Sequence, residues 1–235
     1  MEAGGTGSGG IGADLDRIEA AVQAGDRDLK GLGFWRTVAT VKRDRGLVAA
    51  HAEQIGRIDT AAFRAAVSIR LPVWLGNLLL VTAGLAGVAA LIMAGAVDAP
   101  TVVGVLAVGT GVVWTVAFHC PVHWLVGRLA GIGFTDYFLG AKLPPSPGLK
   151  IDYASYLRTE PATRAWMHAS GAIGTKLAPF LALALAPRDA IPAWAVAVLA
   201  VLGVAQFVTD AVFSVKSSDW KRFLRERRIA RSLGR

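Results

Sequence analysis

Four long apolar stretches dominate the chain: approximately Leu71–Ala96, Thr101–Val126, Trp166–Ala186 and Ile191–Val215. Each approaches or exceeds the about 20 residues a helix needs to cross a bilayer. The links Val97-Asp98-Ala99-Pro100 and Pro187-Arg188-Asp189-Ala190 are so short that each pair of stretches predicts a helical hairpin. Ahead of them, Leu15, Ile18, Ala21 and Val22 recur at helical spacing, and Leu47, Ile55, Ile58 and Phe63 do so more loosely. This predicts two or three short amphipathic cytosolic helices between Asp14 and Ala66, broken at Gly31-Leu32-Gly33. Met1–Gly12 is Gly-rich, with no basic n-region leading into an apolar core, and is expected to be a disordered lead-in rather than a signal peptide. The expected fold is therefore all-α and integral to the membrane. Residues 1–66 form the lead-in and cytosolic helical segment, 67–216 a four-helix transmembrane core of two hairpins, and 217–235 a basic amphipathic cytosolic tail.

Composition agrees with a membrane class: 54% of residues are hydrophobic and the mean hydropathy is +0.48. The net charge of +8 and pI near 10.1 are placed by topology. Lys and Arg number 10 through Arg70, 5 between Arg128 and Arg164, and 8 from Lys216 onward, whereas the two short links hold only Arg188. By the positive-inside rule both termini and the long middle connection are cytoplasmic. Trp74, Trp166 and Trp194 fall at predicted span ends, as interfacial anchors or as packed residues. In the tail, Trp220, Phe223 and Leu224 share one side of a basic helix, which predicts either docking on the anionic inner leaflet or a solvated basic anchor. The bilayer is the principal expected partner. No aromatic-interleaved platform accompanies the charge, so no nucleic-acid partner is expected. A single cysteine, Cys120, excludes an internal disulfide framework.

The candidate chemistry lies in Ala117-Phe118-His119-Cys120-Pro121-Val122-His123-Trp124. His119 and His123 are one helical turn apart and project from one face, where they could bind one metal ion. At about 1.5 Å per residue, His119 lies roughly 27 Å inward from the outer turn, toward the cytoplasmic side. Similar counting brings His168 on the third stretch and Asp210 on the fourth to the same level. His119, His123 and Asp210 would make a Zn²⁺ tripod with a fourth position left for water or a substrate oxygen. His168 is a further candidate, as fourth ligand or as a donor to a ligand. The alternative is that the histidines bond to backbone carbonyls or line a polar cavity without metal. Lys176 is expected roughly 12 Å deeper than His168, where a charge needs a partner or a cavity. It could compensate Asp210 as a salt bridge, which competes with metal ligation, or face a developing oxyanion. His51 lacks a partner at ligand spacing and is expected at the solvated surface. Pro121 removes a helical donor and predicts a kink beside the site.

The segment His119–Leu139, HCPVHWLVGRLAGIGFTDYFL, resembles the zinc-helix segment of the site-2-protease family of intramembrane metallopeptidases, where H-E-x-x-H precedes a small-residue stretch. Ala169-Ser170-Gly171-Ala172-Ile173-Gly174-Thr175 is similar to the family's Ala-Gly-Pro-x-x-Asn helix, and Thr209-Asp210 falls where a later helix supplies its aspartate ligand. The resemblance spans roughly Leu71–Val215 and implies zinc on His119, His123 and Asp210, with a membrane-protein substrate. Two positions depart from the pattern. Cys120 replaces the glutamate that takes the proton from zinc-bound water, and Thr175 replaces the asparagine. The catalytic group is thus unassigned, with Cys120 and Lys176 as candidates; Cys120 could equally be a ligand or a small packed residue. Asp136, Asp152 and Glu160 could supply a carboxylate by folding back. Two functions follow: a divergent intramembrane metallohydrolase, or a non-proteolytic scaffold, regulatory or binding protein of the same fold.

Overall fold

The computed structural model describes residues 8–139, 147–212 and 218–234; the side chains of residues 8, 9 and 210–212 lie outside that description. The chain divides into two compact units. The first comprises Met1–Leu71, Arg128–Arg164 and Glu226–Arg235; the second comprises Pro72–Gly127 and Ala165–Arg225.

In the first unit the amphipathic pattern folds into α1 (Ser8–Gln23), α2 (Phe34–Val41) and α3 (Arg45–Ala66). Leu15, Ile18, Phe34, Val41 and Ile55 are fully buried among them. Residues 8–12, expected to be disordered, instead form the first turn of α1, where Ile11 is buried and holds the turn to the core. Gly33 ends the break before α2 with φ 81°, a conformation that favours glycine. Asp44 caps α3 by accepting from the Gly46 and Leu47 N–H groups.

The all-α expectation is corrected by a three-stranded sheet, β1 (Arg70–Pro72), β2 (Phe134–Leu139) and β3 (Pro147–Ile151), in the order β1-β2-β3. β2 and β3 pair antiparallel from Phe134↔Ile151 to Leu139↔Pro147. Aromatic and β-branched residues fill β2, and the prolines that follow exclude a helix, which favours strands here. The proline-rich loop at 140–146 lies outside the described residues. Short α7 (Tyr153–Arg158), capped by Asp152, packs on α3.

Three pieces of the sequence meet in this unit at one buried carboxylate. Glu226, in α10 (Asp219–Leu233), has no exposed surface. It accepts from Lys42 Nζ at 2.7 Å, Tyr156 OH at 3.0 Å and Arg164 Nε at 2.9 Å. Arg164 also donates through Nη1 to the Leu157 carbonyl, which α7 leaves without a helical partner.

The second unit holds α4 (Val73–Ala94), α5 (Pro100–Ala117), α6 (His119–Leu129), α8 (Pro161–Leu185), α9 (Ala193–Val212) and the start of α10, with α6 and α8 entering it through the residues inside its bounds. Among the described residues, α4 and α5 are long and apolar enough to cross a bilayer. The described apolar part of α9, Ala193–Thr209, is shorter, and α8 carries Arg164, His168 and Lys176. The second expected span is not one continuous helix. α5 stops at Ala117 and α6 starts at His119, two residues before Pro121, whose missing N–H leaves the Ala117 carbonyl without its usual donor; the Val122 N–H bonds to the Phe118 carbonyl.

Small residues face inward in this unit and large ones outward. Its core includes Ala107, Ala178, Ala182, Ala186, Trp114 and Leu199. The outer face of α8 presents Ile173, Leu177, Leu181 and Leu185, and that of α9 presents Val201, Val204 and Val208. Trp114 Nε1 donates to the Gly84 carbonyl at 2.9 Å and Thr110 Oγ1 to the Gly87 carbonyl at 3.3 Å, joining α4 to α5.

Candidate metal centre

The site is built within the second unit from α6, α8 and the first turn of α10. α6 opens with His119 and returns one turn later with His123, so the two rings lie edge to face with centroids 4.8 Å apart. α8 comes close because residue 171 is glycine: a Cβ there would collide with the His123 ring. Each imidazole is then fixed by an acceptor on α8. His123 Nδ1 lies 2.6 Å from the Met167 carbonyl, which can only accept, so Nδ1 carries the proton. Thr175 Oγ1 gives its one proton to the Gly171 carbonyl and therefore accepts from His119 Nδ1 at 2.9 Å. In the neutral ring this leaves Nε2 of both histidines as a bare lone pair.

Both Nε2 atoms face one carboxylate oxygen. Asp219 Oδ2 is 3.2 Å from His123 Nε2 and 3.4 Å from His119 Nε2. Asp219 stands in the first turn of α10, where the free N–H groups favour negative charge. Burial pushes its carboxyl up, but the hydrogen bond and charge of His123, with the charges of His119 and Arg222, outweigh that and bring it down to about 2. Three electron-pair donors facing one another repel unless something positive intervenes. Two arrangements answer this: protonated imidazoles, or a cation held by all three. The three ligand atoms lie within 4.8 Å of one another and could hold a metal ion. A tetrahedral Zn²⁺ with bonds of about 2.0–2.1 Å places its ligand atoms about 3.3 Å apart, close to the two measured separations. Nitrogen and carboxylate oxygen donors suit Zn²⁺.

His119 and His123 are thus brought together as their spacing predicts, and the carboxylate that meets them is Asp219. The Asp210 side chain, the ligand expected from depth counting, lies outside the described residues, as does any salt bridge from Lys176 to it. His168 is buried on α8 and does not enter the three-residue group. Cys120 is buried beside the imidazoles. Lys176 donates to the Ala172 carbonyl, and its Nζ lies 5.8 Å from the centre of the Phe207 ring. Of the carboxylates in the middle connection, Asp152 caps α7 and Glu160 pairs with Arg45. Thr175, noted only as a departure from a family motif, proves to orient His119. Asp219 was missed because Ser217-Ser218-Asp219 reads as a helix start, and a capping-type carboxylate carries no separate sign of ligation. Comparison with protein families, curated proteins and solved structures finds no match for the chain.

Proposed function

We propose that this is a multi-pass membrane protein that holds a transition-metal ion, Zn²⁺ best matching its donors, on His119, His123 and Asp219, and that it acts as a binding or regulatory protein in the bilayer. The observation that carries the metal is the convergence of two Nε2 atoms, each on a ring whose Nδ1 is engaged on α8, with one carboxylate oxygen. The membrane reading rests on the inverted pattern of the second unit, with alanine and glycine inside and leucine, isoleucine and valine outside. Water would not favour such a surface, and close packing of small residues is how helices associate in lipid. On this reading α8 and α9 cross the bilayer with α4 and α5 as two hairpins. Both termini are cytoplasmic, and the partner is a membrane protein.

A second reading, a divergent site-2-type metallohydrolase, is favoured by the three-ligand set, which leaves a coordination position open as catalytic zinc sites do. Against it stands Cys120, buried where that family places its glutamate. Metal analysis of purified wild type beside His123→Ala, Asp219→Asn and Asp210→Ala tests the first proposal. About one equivalent is expected in wild type and Asp210→Ala, and far less in the other two. Equal metal in all four removes the metal centre and leaves imidazolium–carboxylate pairing. Loss in Asp210→Ala alone moves the carboxylate ligand to residue 210. Cleavage of membrane-embedded peptides by the metal-loaded protein would decide for the second reading.

A further inference from the structure

The start of α10 carries more than the metal ligand. Trp220 stacks on Phe223 with ring centroids 5.0 Å apart and an interplanar angle of 22°, and Trp166 of α8 meets Phe223 edge to face at 5.4 Å. These rings form a continuous aromatic platform, yet Trp166 is 53% and Trp220 41% exposed. Leu224 extends the apolar face, and Lys221 and Arg225 are exposed on the same two turns. The nearby acid, Asp219, faces the two histidines, so it does not neutralise those two cations.

We propose that this platform, with Lys221 and Arg225, binds the headgroup of an anionic phospholipid at the membrane surface. The two chemistries coincide in place. Indoles settle at the headgroup level, where one edge is apolar and the N–H is wet, and cations beside them meet the lipid phosphates. The platform belongs to the unit whose outer surface is leucine, isoleucine and valine, and it carries exposed basic residues beside its rings. The proposal rests on the membrane reading above but not on metal at Asp219.

Full-length protein in a neutral detergent is titrated with short-chain phosphatidylglycerol, phosphatidylcholine and inorganic phosphate. Bound lipid is counted by native mass spectrometry, and the unfolding midpoint is followed. Phosphatidylglycerol should bind and raise the midpoint, with an affinity that falls as salt rises, while the other two do neither. Neutralising both cations in Lys221→Gln/Arg225→Gln should weaken phosphatidylglycerol binding about 30-fold, at about fivefold per basic residue at a membrane surface. Trp220→Ala should weaken it as well, and Arg225→Lys should retain it. Helicity by circular dichroism identifies any variant that has failed to fold, in which case the charge-preserving and charge-removing Arg225 variants carry the comparison. Equal binding of phosphatidylglycerol and phosphatidylcholine overturns the proposal. So does a phosphate effect equal to that of the lipid, which would mark a site for free anions, or unchanged binding in the double variant.

Discussion

At the scale of single residues, the candidate metal centre depends on one missing methyl group. The Gly171 Cα lies so close to the His123 ring that a Cβ there would overlap it, and the neighbour is a fixed imidazole rather than a flexible chain end. Gly171→Ala is therefore expected to turn the ring away from Met167 and Asp219. The fold should persist, while metal affinity falls by at least the about 10–100-fold that follows loss of a supporting partner. Metal titration of this variant beside wild type checks it; unchanged affinity would mean that the ring adapts. The two histidines were legible because one helical turn is a regular spacing. The carboxylate was not, since the helix break at Phe118 and the start of α10 at Asp219 together decide which acid arrives, and neither leaves a periodic trace. Glu226 is a second residue that no pattern announces. Burial opposes its charge, but Lys42 and Arg164, with hydrogen bonds from Lys42 and Tyr156, outweigh burial and hold its carboxyl below the ordinary 4.5. A group depressed in this way stabilises the folded state above its unfolded value and loses that contribution as pH falls through the folded one. Wild type should thus lose stability progressively below about pH 4.5. Glu226→Gln should lose less over the same range, starting from a neutral-pH stability lower by about 3–5 kcal/mol because two buried cations are left unpaired. Thermal unfolding of both proteins from pH 7 to pH 3 would show it; parallel curves would remove Glu226 from the acid response.

At the scale of elements, the helices were legible wherever hydrophobic spacing persisted for several turns, as in α1, α4 and α5. The sheet was not, because its strands are three to six residues long and flank a proline-rich stretch that reads as loop. The short links foretold that α4 and α5 pair, but their contact surfaces escaped hydropathy, which treats glycine and alanine as weak apolar residues. α4 and α5 approach until the Trp114 indole reaches the Gly84 carbonyl, and the absence of a side chain at Gly87 gives that indole and Thr110 their room. Gly87→Val should force the helices apart, breaking both interhelical hydrogen bonds. The cost is expected at about 1–3 kcal/mol, the usual penalty of overpacking. Gly109→Val, at a position on α5 where a Cβ meets nothing within 4 Å, is the matched control and should leave stability nearly unchanged. Unfolding in detergent compares the two, and equal effects would place the contact elsewhere.

At the scale of the whole molecule, the first unit constrains how the chain can cross a membrane. Its core is assembled from the N-terminal segment, the Arg128–Arg164 connection and the end of α10. Lys42, Arg164 and Glu226 come one from each piece and meet at hydrogen-bond distance. They can do so only if all three pieces lie on one side of the bilayer. For a chain that crosses the bilayer by α4 and α5, as proposed above, the number of crossings between consecutive pieces must therefore be even, so that α8 and α9 both cross or neither does. A three-span arrangement would separate Glu226 from its partners. On that reading the positive-inside rule puts these pieces on the cytoplasmic side, since they hold most of the 25 Lys and Arg residues. Single cysteines introduced into a Cys120→Ala background can be labelled in intact cells and in inverted vesicles with a membrane-impermeant maleimide. Arg27→Cys, Arg158→Cys and Arg231→Cys should all react from the cytoplasmic face, and Asp98→Cys from the opposite face. Asp189→Cys then decides between the two even arrangements: reaction from the outer face means that α8 and α9 cross, and reaction from the cytoplasmic face means that they do not. Labelling of Arg27 and Arg231 from opposite faces would contradict the buried Glu226 cluster, because no folding of the first unit could then bring its three pieces together.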